Sequence, residues 1–462
     1  MWQRRNPHRF KLFVLALLAI LLLAACGGQP VNQTFSTINS GLSEGAAREN
    51  APSAPTTAPA AAATAAPAAT FALAAPASDA LASAPSVAPI AEGGEAAPTS
   101  PGSSGAPEPR RPEGQVAALK AGEIDDNALF ADYLSYLSGY SDLPARPLDV
   151  RERYLISVID ENQRPLLGAD VKVYDGQELV FESRTSAGGR TLFLPKATKL
   201  SENASELRVV AELGAGRGEA SFQRGASEQI EVAVRGATAE QGLRLDLLFL
   251  LDTTGSMDDE LSRIQETIDT IAQRIDGFSP RPSINWGLVA YRDVGDEYVT
   301  QRYDFSPELA GFRTALRELS AGGGGDTPEA LDEALYEATQ RMAWSSGAVR
   351  LIFLVADAAP HIDQQAQFTY LNGAEAAIKQ GIKIYPIAAS NTDPQAEYVF
   401  RQLAQQSLGS FIFLTYQPGA SGGAPGESTP LEAGEQQYTV ERLDDLIINV
   451  IERELAAAVG AR

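Results

Sequence analysis

The stretch LLFLLDTTGSMDDE, Leu247 to Glu260, runs five apolar residues into a carboxylate, followed by three hydroxyls, a glycine and an acidic cluster. An apolar run of this length bounded by turn residues is the pattern of a buried strand. A buried strand ends on a carboxylate only where something compensates the charge. A metal ion, a phosphoryl-transfer site and a helix cap are the candidates for Asp252, and the surrounding chain bears on the choice.

Asp252, Thr254 and Ser256 occupy alternate positions, which in a loop leaving a strand can point the same way, and Gly255 permits a tight turn between them. One carboxylate and two hydroxyls are hard oxygen donors of the kind that suit Mg2+ or Mn2+.

From Leu243 onward the chain alternates strand and helix patterns. The expected strands are Leu245 to Leu251, Ser283 to Tyr291, Tyr298 to Tyr303, Val349 to Ala356, Ile382 to Ala388 and Ser410 to Thr415. Most are continuous apolar runs, as strands covered on both faces require. Leu261, Ile264, Ile268, Ile271 and Ile275 form one helical stripe, and Leu331, Ala334, Leu335, Ala338 and Met342 another. Right-handed crossovers between such elements give a doubly wound α/β domain over 240–462, with a mostly parallel, six-stranded, Rossmann-like sheet. Its binding edge lies at the carboxyl ends of the strands.

At this point three motifs carry a resemblance. DTTGSM (Asp252 to Met257), GGGGDTPEAL (Gly322 to Leu331) and LIFLVADAAPH (Leu351 to His361) resemble, in order, the three elements of the metal-ion-dependent adhesion site of von Willebrand factor A (vWA) domains. WGLVAYRDV (Trp286 to Val294) resembles the second strand in a bacterial branch of that family. The resemblance implies that Thr327 is a further hydroxyl ligand and Asp357 the second carboxylate, beside Asp252, Thr254 and Ser256. Asp326, Arg292, Asp293 and His361 are candidates for the rim, with an exposed loop charge the favoured account of each. Thr254 stands where serine is commoner and Ala358 where glycine is usual; neither change removes an oxygen. Ser256 with Asp259, and Thr327 ahead of Pro328, are also positioned as helix caps, and Asp258, Asp259 and Glu260 as first-turn acids.

Upstream the composition changes three times. Residues 146–237 alternate with a period of two, as in RYLISVID and QIEVAV, and predict a small antiparallel β-sandwich. This region resembles bacterial modules of the carboxypeptidase-regulatory, transthyretin-like kind. Residues 114–145 place Leu129, Tyr133, Leu134 and Leu137 at helical spacing with Asp125 or Asp126 as cap, predicting a docking helix. Residues 26–113 are rich in Ala, Pro, Ser, Thr and Gly and cannot bury enough surface to fold, which predicts a disordered tether with a random-coil span of about 50 Å. Residues 1–25 carry four cationic side chains ahead of the apolar run Leu12 to Ala25, the pattern of a signal peptide. LAAC, Leu23 to Cys26, resembles the bacterial lipobox, which implies lipidation of Cys26 and a place in the cell envelope, held to a membrane by the lipid anchor.

The formal charge of −22 becomes −26 once residues 1–25 are removed, which makes nucleic acid an unfavourable partner. His361 is then the single histidine and the chain has no other cysteine, which removes most zinc sites, Cys/His nucleophile pairs and Ser/His/Asp triads from consideration and leaves oxygen as the ligand for any metal. The expected function is non-enzymatic: a protein ligand supplies an Asp or Glu carboxylate to the metal. A scaffold with a vestigial metal site is the second reading. A Mg-dependent phosphohydrolase is the third, disfavoured because Thr254 stands where that chemistry wants a second aspartate.

Overall fold

The computed structural model describes residues 118–460 apart from 141, 238–241, 326, 364, 419–423, 430 and 432–437. The signal peptide at 1–25, Cys26, the linker at 26–113 and the rim candidate Asp326 lie outside the described residues. Among those described, no helix is long and apolar enough to cross a membrane.

The chain opens with a short strand, β1 (Lys120–Ile124), and helix α1 (Phe130–Gly139). It then forms seven strands: β2 (Tyr154–Ile159), β3 (Asp170–Asp175), β4 (Glu178–Arg184), β5 (Arg190–Phe193), β6 (Glu206–Leu213), β7 (Gly216–Gln223) and β8 (Gln229–Ala233). These make a three-stranded sheet, β5-β2-β8, and a four-stranded sheet, β4-β3-β6-β7. Tyr154, Ile156, Val158, Val171, Val173, Leu207 and Val209 fill the space between them, the inward set that the period of two selects. One pairing departs from the antiparallel expectation: β2 and β8 run parallel.

The α/β region follows as β9 (Arg244–Asp252), α2 (Asp258–Asp276), β10 (Ser283–Tyr291), β11 (Thr300–Ser306), α3 (Leu309–Glu318), α4 (Leu331–Tyr336), β12 (Val349–Ala356), α5 (Tyr370–Gln380), β13 (Ile382–Ala388), α6 (Pro394–Ser407), β14 (Phe411–Thr415), β15 (Glu441–Arg442) and α7 (Leu443–Ala458). Strand β9 shows why its run is apolar at every position. Leu245, Leu247, Phe249 and Leu251 pack with residues of α2, α3 and α7 on one face, whereas Leu248 and Leu250 pack with those of α4, α5 and α6 on the other. Both helical stripes read from the sequence are buried, the first on α2 and the second on α4 and the turns after it.

The sheet has eight strands rather than six, in the order β11-β10-β9-β12-β13-β14-β1-β15. The additional strands are β1 and the two-residue β15, and β1 belongs to the segment expected to be a docking helix. Lys120 to Ile124 pair antiparallel with Thr415 to Phe411 instead. Gly122 makes the pairing possible, since a Cβ there would fall 2.6 Å from the Phe413 ring. Helix formation begins at Phe130, with Tyr133 fully buried. Just before it, the buried Asp126 takes two hydrogen bonds from Arg401 of α6, at 2.6 and 3.0 Å. The α/β sheet is therefore assembled from both sides of the sandwich, which is inserted between α1 and β9.

Candidate metal centre

Strands β9 and β12 are parallel neighbours, Leu251 pairing with Val355. Asp252 closes β9 and Asp357 follows the end of β12, so the topology brings both aspartates to the carboxyl end of the sheet. Asp252 has no exposed surface and Asp357 is 5 % exposed. Their hydrogen bonds run through hydroxyls. The backbone N–H and the side-chain hydroxyl of Thr254 donate to Asp252 Oδ1 at 2.9 and 2.7 Å. Thr254 Oγ1 lies 3.1 Å from Ser256 Oγ, which donates to Asp357 Oδ1 at 3.1 Å.

The helix-cap alternative for Ser256 does not describe this arrangement. Met257 occupies the N-cap position of α2 and no side chain caps it. Thr327 is exposed on the facing loop, ahead of Pro328, and among the described residues no hydrogen bond joins it to the other four. Nor does it cap α4, whose N-cap position is Ala330.

The loops around the aspartates are tied to one another by backbone. Thr253 N–H donates to Tyr291 O at 2.9 Å, Gly322 N–H to Thr253 O at 3.0 Å, and Gly255 N–H to Gly323 O at 3.1 Å. Arg292 is 6 % exposed and lies under the rim rather than on it. It donates to Ser320 O at 2.9 Å, meets Glu297 at 3.3 Å, and its guanidinium carbon sits 4.5 Å from the Tyr298 ring centre. Asp293 and His361 face each other at 2.6 Å across two of the loops.

A third carboxylate, Glu329, was not singled out by sequence reasoning. It is 2 % exposed and its backbone N–H donates to Ala359 O at 3.0 Å. Gly324, at φ +58°, allows the approach: a Cβ there would lie 2.8 Å from Glu329 Oε1 and 3.1 Å from Thr254 Cβ. The sequence signal was an acid two residues beyond Thr327, at the head of the apolar stripe that starts with Ala330 and Leu331.

These groups repel one another and are poorly hydrated. Burial and then the charge of Asp357 push the Asp252 carboxyl up to about 7. Burial pushes Asp357 to about 6, with the Ser256 hydroxyl working in the opposite direction and Glu260 in the same one. Burial, followed by Asp252 and Asp293, takes Glu329 to about 8. Asp252 Oδ2 and Glu329 Oε2 are buried without a hydrogen-bond partner in good geometry, the buried Tyr291 hydroxyl lying close enough to Asp252 to favour its charged form. An orphaned buried carboxylate oxygen calls for a cation or a proton. No trio of carboxylate, imidazole or thiolate side chains among the described residues is grouped as a metal cage. The donors gathered here are two carboxylates joined through hydroxyls, with Glu329 standing behind Thr254, and that set fits a hard divalent ion.

Residues 246–416 match the family model of the von Willebrand factor A domain. The chain contains a vWA domain. Its strand-end aspartates and the hydroxyl loop between them fall within the matched region, while β1, β15 and α7 lie outside it. Among relatives, a putative ariadne-like RING finger protein, R811, of Acanthamoeba polyphaga mimivirus is 32 % identical over 123 residues, which are 27 % of this chain and 12 % of that protein. The alpha-protein kinase vwkA of Dictyostelium discoideum is 28 % identical over 138 residues, 29 % of this chain and 21 % of that one. The similarity therefore spans a small part of each. Among solved structures, the conserved hypothetical protein BatB from Bacteroides thetaiotaomicron aligns at 13 % identity and TM-score 0.31, covering 46 % of this chain and 98 % of that one.

Proposed function

We propose that the vWA domain is a metal-dependent binding module for a protein partner. Asp252, Thr254, Ser256 and Asp357, with Thr327 on the facing loop, are the residues that would hold Mg2+ or Mn2+. When bound, the ion supplies a coordination position that an Asp or Glu carboxylate of the partner completes. Around it, Thr254 and Ser256 keep the two aspartates in register, and Glu329, raised to about 8 without metal, ionises behind Thr254 when a cation is present.

The observation that carries this reading is the state of Asp252: a fully buried carboxylate, one oxygen engaged by Thr254 and the other without a partner in good geometry. Uncompensated, such a group destabilises the fold; with a cation it becomes an anchor. We further propose that Cys26 is lipidated and that residues 26–113 tether the folded part to a bacterial envelope membrane, a reading supported by the LAAC sequence and the composition of the linker. Pull-down from envelope extracts in Mg2+ and in EDTA tests the binding role. Capture that requires the ion and is lost in Asp252→Ala is expected; capture indifferent to both overturns it.

A further inference from the structure

The loops that frame the two aspartates are residues 252–260, 292–299, 320–330, 357–369 and 389–394. Across all five, the single Lys or Arg is Arg292, and its guanidinium is buried beneath the rim on Ser320 O. Arg146, which lies outside these loops, is engaged by the backbone carbonyl of Asp363.

Acids, by contrast, surround the site. Asp258 and Asp259 are exposed on the first turn of α2, immediately past Ser256, and Asp393 is exposed at the head of α6. Glu297 is 80 % exposed on the loop after β10, next to Asp296. Their fields reach the buried groups: Asp296 acts on Glu329 and Asp393 on Asp357, each in the direction expected of a neighbouring negative charge.

A carboxylate arriving from a partner meets this ring before it meets any ion. One divalent cation is offset by Asp252 and Asp357 alone, so the exposed ring keeps its negative charge except at Glu297, which Arg292 meets at 3.3 Å. A partner surface of net negative charge is repelled, and a neutral one gains nothing from the ring. A carboxylate set among cations is attracted by it.

We infer that the partner of this site is a basic protein surface that presents a single acidic residue flanked by Lys or Arg. The ring of exposed acids selects the flanking cations, while the metal position takes the carboxylate. This inference rests on the metal-bridged reading above and adds the chemical class of the partner.

The test uses the full-length protein and four synthetic heptapeptides, capped at both ends and differing only in the central three residues: Lys-Asp-Lys, Ala-Asp-Ala, Glu-Asp-Glu and Lys-Ala-Lys. Binding is measured by fluorescence anisotropy in Mg2+ and in EDTA, at 50 and 300 mM NaCl. At low salt in Mg2+, Lys-Asp-Lys is expected to bind at least fivefold tighter than Ala-Asp-Ala, and Glu-Asp-Glu weaker than both. The advantage should shrink at high salt, where exposed charges are screened. It should also shrink in Asp258→Asn/Asp259→Asn and in Glu297→Gln, two variants on different loops, so a folding defect in one does not decide the outcome. Equal Mg2+-dependent binding of Lys-Asp-Lys and Ala-Asp-Ala, or a preference unchanged in both variants, overturns the inference and leaves the metal-bridged reading standing. Lys-Ala-Lys binding as well as Lys-Asp-Lys, with no effect of EDTA, overturns both, as does the absence of Mg2+-dependent binding by any peptide.

Discussion

Ser256 donates its hydroxyl hydrogen bond to Asp357, 101 residues further along the chain, and accepts none from the N–H groups of the helix that begins two residues after it. A serine just before a helix ordinarily satisfies the first free N–H groups of that helix. Here the hydroxyl links the ends of two parallel strands instead, and the first turn of α2 relies on Asp258, Asp259 and Glu260 to complement its dipole. Ser256→Ala should therefore leave the melting temperature of the metal-free protein nearly unchanged while weakening Mg2+ affinity about tenfold or more. Calorimetric titration of the purified variant measures both; an unchanged affinity would remove Ser256 from the ligand set.

Asp252→Asn keeps the shape of the side chain and removes a charge that is buried without compensation. In EDTA at pH 8 this variant should melt higher than the parent, and addition of Mg2+ should leave it unmoved. The parent should gain stability with Mg2+ by mass action. Differential scanning calorimetry of both proteins with and without the ion separates the effects, and a lower melting temperature of the variant in EDTA would contradict the electrostatic account.

The pH dependence has a definite sign. Asp252, Asp357 and Glu329 have folded-state values of about 7, 6 and 8, all above the ordinary carboxylate range near 4. Between pH 4 and pH 8 the folded metal-free protein holds more protons than the unfolded chain, so stability falls as the pH rises. Carboxylates held below their usual range, such as Asp149 beside Arg151 and Asp444 beside Arg442, stabilise at a constant level above about pH 4 and lose that stability only below it, so they do not reverse the trend in this window. In EDTA the midpoint of urea denaturation should be higher at pH 5.5 than at pH 8. With saturating Mg2+ the difference should shrink or invert, because the ion competes with protons for the same oxygens.

Arg401 and Asp126 are 5 % and 1 % exposed and bind through two hydrogen bonds across the join between the first described segment and α6. Arg401 also meets Glu397 at 3.2 Å and stacks 3.8 Å from the Tyr136 ring centre. Arg401→Met strands the buried carboxylate of Asp126 and removes one partner of Glu397, and should cost about 3–5 kcal/mol. Asp126→Asn keeps a polar partner for the guanidinium and should cost less. Urea titrations of the two variants decide the order.

A protein cut to 240–462 loses β1, so β14 and β15 are left without the strand between them. It also loses the aromatic face of α1 that packs on α6. That fragment should melt well below one spanning 114–462, or aggregate through the opened edge. Equal melting temperatures would show that the sheet is complete without β1.

The residues that bear on the candidate site were legible where the chemistry is local. Asp252, Thr254 and Ser256 sit within five positions, and a carboxylate at the end of an all-apolar run is visible without any neighbour. The Rossmann-like character was legible for the same reason, since strands covered on both faces must be apolar at every position, as Leu247 to Leu251 are.

What the linear sequence did not determine depends on contacts made from a distance. Lys120 to Ile124 read KAGEI, with no alternating pattern, and become a strand only because β14 offers an open edge and Gly122 clears the Phe413 ring. Glu329 sits in a motif whose notable residue is Thr327. Its burial, its place behind Thr254 and its raised carboxyl exist only because Gly324 turns through a positive φ and four other acids converge on it. Arg292 has the composition of a rim residue, and only the fold turns it inward onto Ser320 O. Local pattern determined which segments would be buried strands and helices and which oxygens stood ready at one strand end. The tertiary structure decided which distant chain completes the sheet and which buried charges must share one small, dry volume, because both depend on pairings between residues far apart in the chain, from 77 positions for Asp252 and Glu329 to 295 for Lys120 and Thr415, that no local period encodes.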